Sequence, residues 1–176
     1  MTTSETSAQT ASDRLAAPGV EHGWMQPLLG NWTVAMRVWP GLGAEPFSIP
    51  GMTAERHLIL GGRYLRETLI GGDGVTVREA TLGYNRLEGR FELVTVDSYE
   101  PGQMIYTGRG DETPELLPLH GISIEAGMGP EPTGRKRDLR FDFAVHGPDS
   151  NSQRIHVRYP GGASYLFVEQ VFTRQG

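Results

Sequence analysis

The feature that most constrains this chain is the rhythm of its turns. From Gly30 onward the sequence runs as short stretches of alternating apolar and polar residues, each closed by glycine or proline. Gly61-Gly62, Gly71-Gly72-Asp73-Gly74, Pro101-Gly102, Gly147-Pro148-Asp149-Ser150-Asn151 and Pro160-Gly161-Gly162 are the clearest punctuation. Strands joined by such brief connections pair antiparallel. Roughly ten of them in succession predict an up-and-down meander that closes on itself, since closure removes the edge strands that invite aggregation. A barrel of that size either fills with its own side chains or holds one small ligand.

The strands are expected at 30–39, 48–60, 63–70, 75–84, 91–98, 103–109, 119–125, 139–145, 154–159 and 165–173, with polar loops at 111–118 and 127–137. Ahead of them, residues 1–20 are rich in Ser, Thr and Ala and carry too little apolar surface to offset ordering entropy, so they are expected to form a disordered arm. Trp24, Leu28 and Leu29 share a face at helical spacing, which predicts a short helical plug for one barrel end, kept short by Pro27. Residues 21–176 then form one barrel domain.

Composition narrows the partners. The formal net charge of −5 disfavours nucleic acid and anionic membrane, whose phosphates need clustered Lys and Arg. The one basic run, Arg135-Lys136-Arg137, sits beside Pro132 and Gly134 and reads as a solvated loop. The chain has no cysteine, which removes disulfides, thiolate metal sites and Cys nucleophiles. No secretory signal and no membrane-length apolar run is present, so a soluble cytoplasmic protein is expected.

Several segments carry a resemblance. Leu29-Gly30-Asn31-Trp32 followed by Trp39-Pro40-Gly41-Leu42-Gly43-Ala44-Glu45-Pro46 resembles the opening of a bacterial domain-of-unknown-function family of small lipocalin-like barrels, themselves distantly similar to nitrobindin-like barrels. Leu60-Gly61-Gly62-Arg63-Tyr64-Leu65, Thr81-Leu82-Gly83-Tyr84-Asn85, the span from Arg90-Phe91 to Asp97-Ser98, and Tyr106-Thr107-Gly108 extend the match, clear over residues 21–110 and weaker beyond. The resemblance implies an all-β, antiparallel, lipocalin-like barrel and a bacterial origin, and no activity. Thr95 stands where family members often have tryptophan, which implies a larger or more polar interior. Related haem-carrying barrels use a histidine near the end of the chain; here Glu169 and Gln170 occupy the last strand, so haem by that route is not expected, and no other cofactor is.

The face carrying Phe91, Leu93, Thr95 and Asp97 is interior if the relatives' tryptophan pattern applies, which makes Asp97 a cavity carboxylate or else a strand-end residue bonded to its loop. In the third strand Tyr64, Arg66 and Thr68 oppose Leu65, Glu67 and Leu69. An interior Arg66 would require a carboxylate partner such as Asp97 or Glu79; an exposed one would not. Among five histidines, His57 is the best candidate base, with a structural role as its alternative, and His156 is expected to face outward into solvent. No spacing suits a metal site, and no Gly-x-Ser-x-Gly suggests a serine hydrolase. Trp39, Tyr64, Tyr84 and Tyr106 would give an apolar pocket with a few polar anchors.

Three readings follow. The first is binding of a hydrophobic or amphipathic small molecule in the barrel, lined by Trp39, Tyr64, Arg66, Tyr84, Thr95 and Tyr106. The second is a cofactor-independent isomerase, cyclase or hydrolase, for example of secondary metabolism, moving a proton through Asp97, His57 or Glu67. The third is an interaction module, for example a homodimer through the outer barrel face.

Overall fold

A computed structural model describes residues 10–110, 113–125, 131 and 133–176. Ten strands form one closed antiparallel barrel: β1 (Gly30–Val38), β2 (Phe47–Ile59), β3 (Tyr64–Ile70), β4 (Thr76–Asn85), β5 (Arg90–Asp97), β6 (Met104–Gly108), β7 (Leu116–Ile124), β8 (Lys136–Gly147), β9 (Ser150–Arg158) and β10 (Tyr165–Arg174). Each strand pairs with its sequence neighbours, and β1 closes the ring against β10 from Trp32↔Arg174 to Val38↔Val168. The expected meander is therefore present.

The largest boundary differences lie late in the chain. β7 begins at Leu116 and includes Pro118, which the sequence places in a loop. Proline is tolerated there because β6 pairs with β7 only at Tyr106↔Gly121 and Thr107↔His120, so Pro118 has no ladder partner on that side. Glycine makes this seam possible. A Cβ on Gly108 would collide with the Pro118 carbonyl oxygen, and one on Gly121 would stand 2.6 Å from that of Ile105. β8 and β9 run closer together than expected, leaving Pro148 and Asp149 as the turn. The loop expected over 127–137 falls partly outside the described residues, and β8 has already begun at Lys136.

The expected arm over 1–20 also lies partly outside the described residues. Within it, Ala11–Ala16 forms a helix, α1, where disorder was expected. Thr10 and Asp13 supply the reason: the Asp13 amide donates to Thr10 Oγ1 at 3.1 Å, and the Thr10 amide donates to Asp13 Oδ2 at 3.0 Å, a reciprocal cap. A 3₁₀ segment, Val20–Leu28, follows and is the expected plug. Met25 and Leu28 are fully buried against Leu65, Leu82, Phe91, Leu117 and Phe143, sealing the barrel end at which β1 starts. Among the described residues no helix is long and apolar enough to cross a membrane.

Strand irregularities shape the other end. Bulges interrupt the β1/β2, β3/β4 and β9/β10 ladders, the last two at Leu69/Ile70 and Leu166/Val168. A bulge adds one residue to one strand, so neighbours can both point inward. Val77 and Arg78 do so on β4, and Phe167 and Val168 on β10, all four lining the same space. This half of the barrel is consequently not filled by its own side chains.

Candidate functional site

The interior has three levels. Nearest the plug is the apolar cluster just described. At mid-height, polar residues interrupt the apolar faces of five strands: Arg56 lies between Ala54 and Leu58, Glu67 between Leu65 and Leu69, Arg78 two residues before Ala80, Gln153 two before Ile155, and Gln170 between Val168 and Phe172. All five are at most 6% exposed. Above them is a cavity of about 500 Å³, within the usual size of small-molecule pockets, opening toward the loops that carry Pro40 and Tyr99.

Glu67 is the centre of the polar level. Arg78 Nη2 donates to Glu67 Oε1 at 2.5 Å. Arg56 Nε and Gln153 Nε2 donate to Glu67 Oε2, each at 2.7 Å. Burial alone would raise the Glu67 pKa, but Arg78 and Arg56 outweigh it and hold the carboxyl down at about 2. Arg56 is satisfied on its other side by Asn151 Oδ1, at 2.8 Å, and its guanidinium lies 3.9 Å from the Phe172 ring centroid. Arg78 reaches Gln153 Oε1 at 2.5 Å and Gln170 Oε1 at 2.9 Å through the same Nη2.

This geometry carries a pH prediction. A carboxyl whose pKa is depressed on folding contributes stability above its unfolded pKa and loses it as pH falls. Lowering pH from about 4.5 to about 2 is expected to remove about 3 kcal/mol through Glu67, read as the difference between wild type and Glu67→Gln in denaturant titrations across that range.

Charge also rings the cavity, in paired form. Arg137 is ion-paired with Glu100 and donates to Ser123 Oγ at 2.6 Å. Glu125 accepts from Tyr159 Oη at 2.7 Å and pairs with Arg135 at 2.9 Å. The Tyr159 hydroxyl is pushed up to about 12, by burial first and then by its hydrogen bond to Glu125. The walls between are apolar, built from Met36, Ile49, Met52, Leu69, Leu139 and Phe167 among others.

The sequence candidates divide between inside and outside. Asp97 and Tyr106 line the cavity. Asp97 Oδ1 accepts the Tyr99 and Glu100 amides, each at 2.9 Å, the strand-end bonding that was its alternative reading. Tyr106 is 1% exposed, with its hydroxyl pKa driven up by burial. Thr95 is buried but is not part of the cavity lining, and its Oγ1 has no partner among the described residues. Glu67 is interior, but three donors hold it as a carboxylate, which removes it as a proton-transfer group. Tyr84 is interior at the plugged end, its ring centroid 4.9 Å from that of Phe91, away from the cavity.

Four candidates lie elsewhere. Arg66 is on the outer face, half exposed and paired with Glu79 at 3.2 Å, because residues 65, 67 and 69 take the inward positions of β3. His57 is exposed opposite Arg66, since the inward positions of β2 are Ala54, Arg56 and Leu58. Tyr64 shares the outer face with Arg66 and covers Gly83, where a Cβ would strike its ring. Trp39 follows the end of β1 and lies against Arg37, 5.3 Å from its ring centroid, outside the cavity lining. His156 faces Asp142 on the outside at 3.7 Å, as expected. No histidine lines the cavity, so an imidazole base is not within reach of a molecule held there. Among the described residues no three His, Asp or Glu side chains are grouped to hold a metal ion.

Sequence reasoning passed over Arg56, Arg78, Gln153 and Gln170. The signal was available: each is a long polar residue in phase with the apolar side of its strand.

The family described as Protein of unknown function (DUF1579) matches residues 17–174. The chain belongs to that family. The match takes in the plug and all ten strands, consistent with the barrel being the family's common unit. Rv2717c from M. tuberculosis, a solved structure, is 20% identical with a TM-score of 0.53, covering 87% of this chain and 98% of that one, and shares the fold. EF1p2_mFAP2b bound to DFHBI aligns at 12% identity with a TM-score of 0.37 over 88% of this chain and 98% of that one. No protein of curated function matches.

Proposed function

We propose that this DUF1579 member binds a hydrophobic or amphipathic small molecule in the open half of its barrel. The observation that carries the reading is the cavity of about 500 Å³, apolar in its walls and polar at its base and rim, in a barrel whose other end is sealed. Apolar walls supply affinity by removing ligand surface from water, and a few placed polar groups fix its orientation. Binding is favoured over proton-transfer catalysis in the same space because Glu67 is locked by its donors, Asp97 Oδ1 is engaged by two backbone amides, and none of the five histidines, all among the described residues, lines the cavity.

A filling substitution tests it. Val38 lines the cavity near its opening and is only half buried, so Val38→Trp is expected to keep the fold and occupy the space. Uptake of an uncharged environment-sensitive fluorophore is expected to weaken by about tenfold or more relative to wild type, equivalent to losing about 1.4 kcal/mol of contact. Equal uptake by both proteins would place the fluorophore elsewhere and sink the reading.

A further inference from the structure

The buried polar level is not neutral. Arg56 and Arg78 bring two positive charges, and Glu67 returns one negative charge to both. Gln153, Gln170 and Asn151 add hydrogen bonds and carry no charge. One positive charge is left over inside the barrel, where an uncompensated charge is costly.

The surplus falls on Arg78. Arg56 lies on the plug side, engaged by Glu67 and Asn151 and covered by Phe172 and Trp32. Arg78 lines the cavity. Its Nη2 donates to Glu67, Gln153 and Gln170, and its buried Nε has no hydrogen-bond partner among the described residues; Arg56 Nη2 makes no hydrogen bond there either but stands 2.7 Å from Glu67 Oε2. Asp97 is its cross-strand neighbour, but that carboxylate is turned to the Tyr99 and Glu100 amides, and the two make no ion pair among the described residues. Of the other charges lining the cavity, Arg137 and Glu100 pair with each other, and Glu125 pairs with Arg135, which lies outside the lining.

We propose that the ligand is an amphipathic acid: an apolar body lying among the cavity walls, with a single anionic head, of the carboxylate type, entering first and meeting the Arg78 guanidinium where it lines the cavity. This rests on the small-molecule reading above and names the chemistry of its ligand. A charge-assisted hydrogen bond in a water-poor site is stronger than a neutral one. The acid would also neutralise the surplus charge.

The test compares three probes of one chain length on the full-length protein: dodecanoate, dodecanol and dodecylamine, each displacing the uncharged fluorophore. Dodecanoate is expected to bind about tenfold or more tighter than dodecanol, and that preference is expected to vanish in Arg78→Met, where Glu67 keeps Arg56 as its partner. Equal affinity of acid and alcohol for wild type would overturn the acidic head while leaving the cavity reading standing. Tighter binding of dodecylamine would overturn it too and move the anchor to the cavity carboxylates. Failure of all three to displace a fluorophore that Val38→Trp also fails to exclude would end both proposals. Should Arg78→Met lose cooperative unfolding, the acid-to-alcohol ratio on wild type decides alone.

Discussion

Glu67→Leu is expected to destabilise the protein by about 3–5 kcal/mol, the usual result of removing one partner from a buried ion pair. The loss is large because the substitution does more than delete a salt bridge. It leaves Arg56, 3% exposed, and Arg78, 6% exposed, with like charges and no carboxylate between them, and takes an acceptor from Gln153 Nε2. Against the roughly 5–15 kcal/mol that holds a typical domain together, this is a substantial fraction. Urea titration checks it: the midpoint should fall steeply while the slope stays constant, which separates a change in stability from a change in the surface exposed. The triple change Glu67→Leu with Arg56→Met and Arg78→Met should recover much of the loss, since packed apolar side chains can replace a buried charge cluster at little cost. A Glu67→Leu midpoint within error of wild type would show that the cluster is hydrated and not a buried unit.

The same residues show how far the sequence could be read. Barrel topology was legible because it rests on local signals: turn residues, hairpin-length loops and period-two alternation. Inward faces were harder. On β3 both faces carry one charged residue, Arg66 on one and Glu67 on the other, so the pattern alone does not say which is inside. What decides it is non-local. Leu65 and Leu69 must meet the apolar positions of β2 and β4, and Glu67 must meet two arginines that reach it from residues 56 and 78. Bulges compound the difficulty, since a one-residue insertion at Val77 or Phe167 breaks the alternation where the cavity widens. Asp97 and Tyr106 line the cavity, and β5 and β6 alternate strictly, but for Asp97 the inward face came from the relatives' tryptophan pattern, since alternation alone does not say which face is inside. His57 and Arg66 were attractive by residue type alone, and strand phase puts both outside.

Trp32→Ala is the second large effect, expected at about 3–5 kcal/mol, the range for removing a fully buried large aromatic side chain. Trp32 is where the plug, the first strand and the last strand are joined. Its indole Nε1 donates to the Leu28 carbonyl at 3.0 Å, fixing the end of the 3₁₀ segment. The Arg174 guanidinium lies 4.3 Å from its ring centroid while donating to the Leu29 carbonyl at 2.7 Å and the Pro148 carbonyl at 2.8 Å. Arg56 lies on the ring as well, 5.7 Å from its centroid, so the indole also shields one cation of the buried cluster. Trp32→Phe separates packing from polarity: it keeps most of the aromatic volume and both cation contacts in weaker form, and loses the N–H. It is expected to cost about 1–2 kcal/mol, mostly from the Leu28 carbonyl left without its donor. If the Trp32 N–H did not hold the end of the plug, Trp32→Phe would match wild type in denaturant midpoint and in amide exchange over residues 20–28. Faster exchange confined to that segment, with β4 and β5 still protected, is the expected result, because the plug docks through few contacts while the sheet closes on itself.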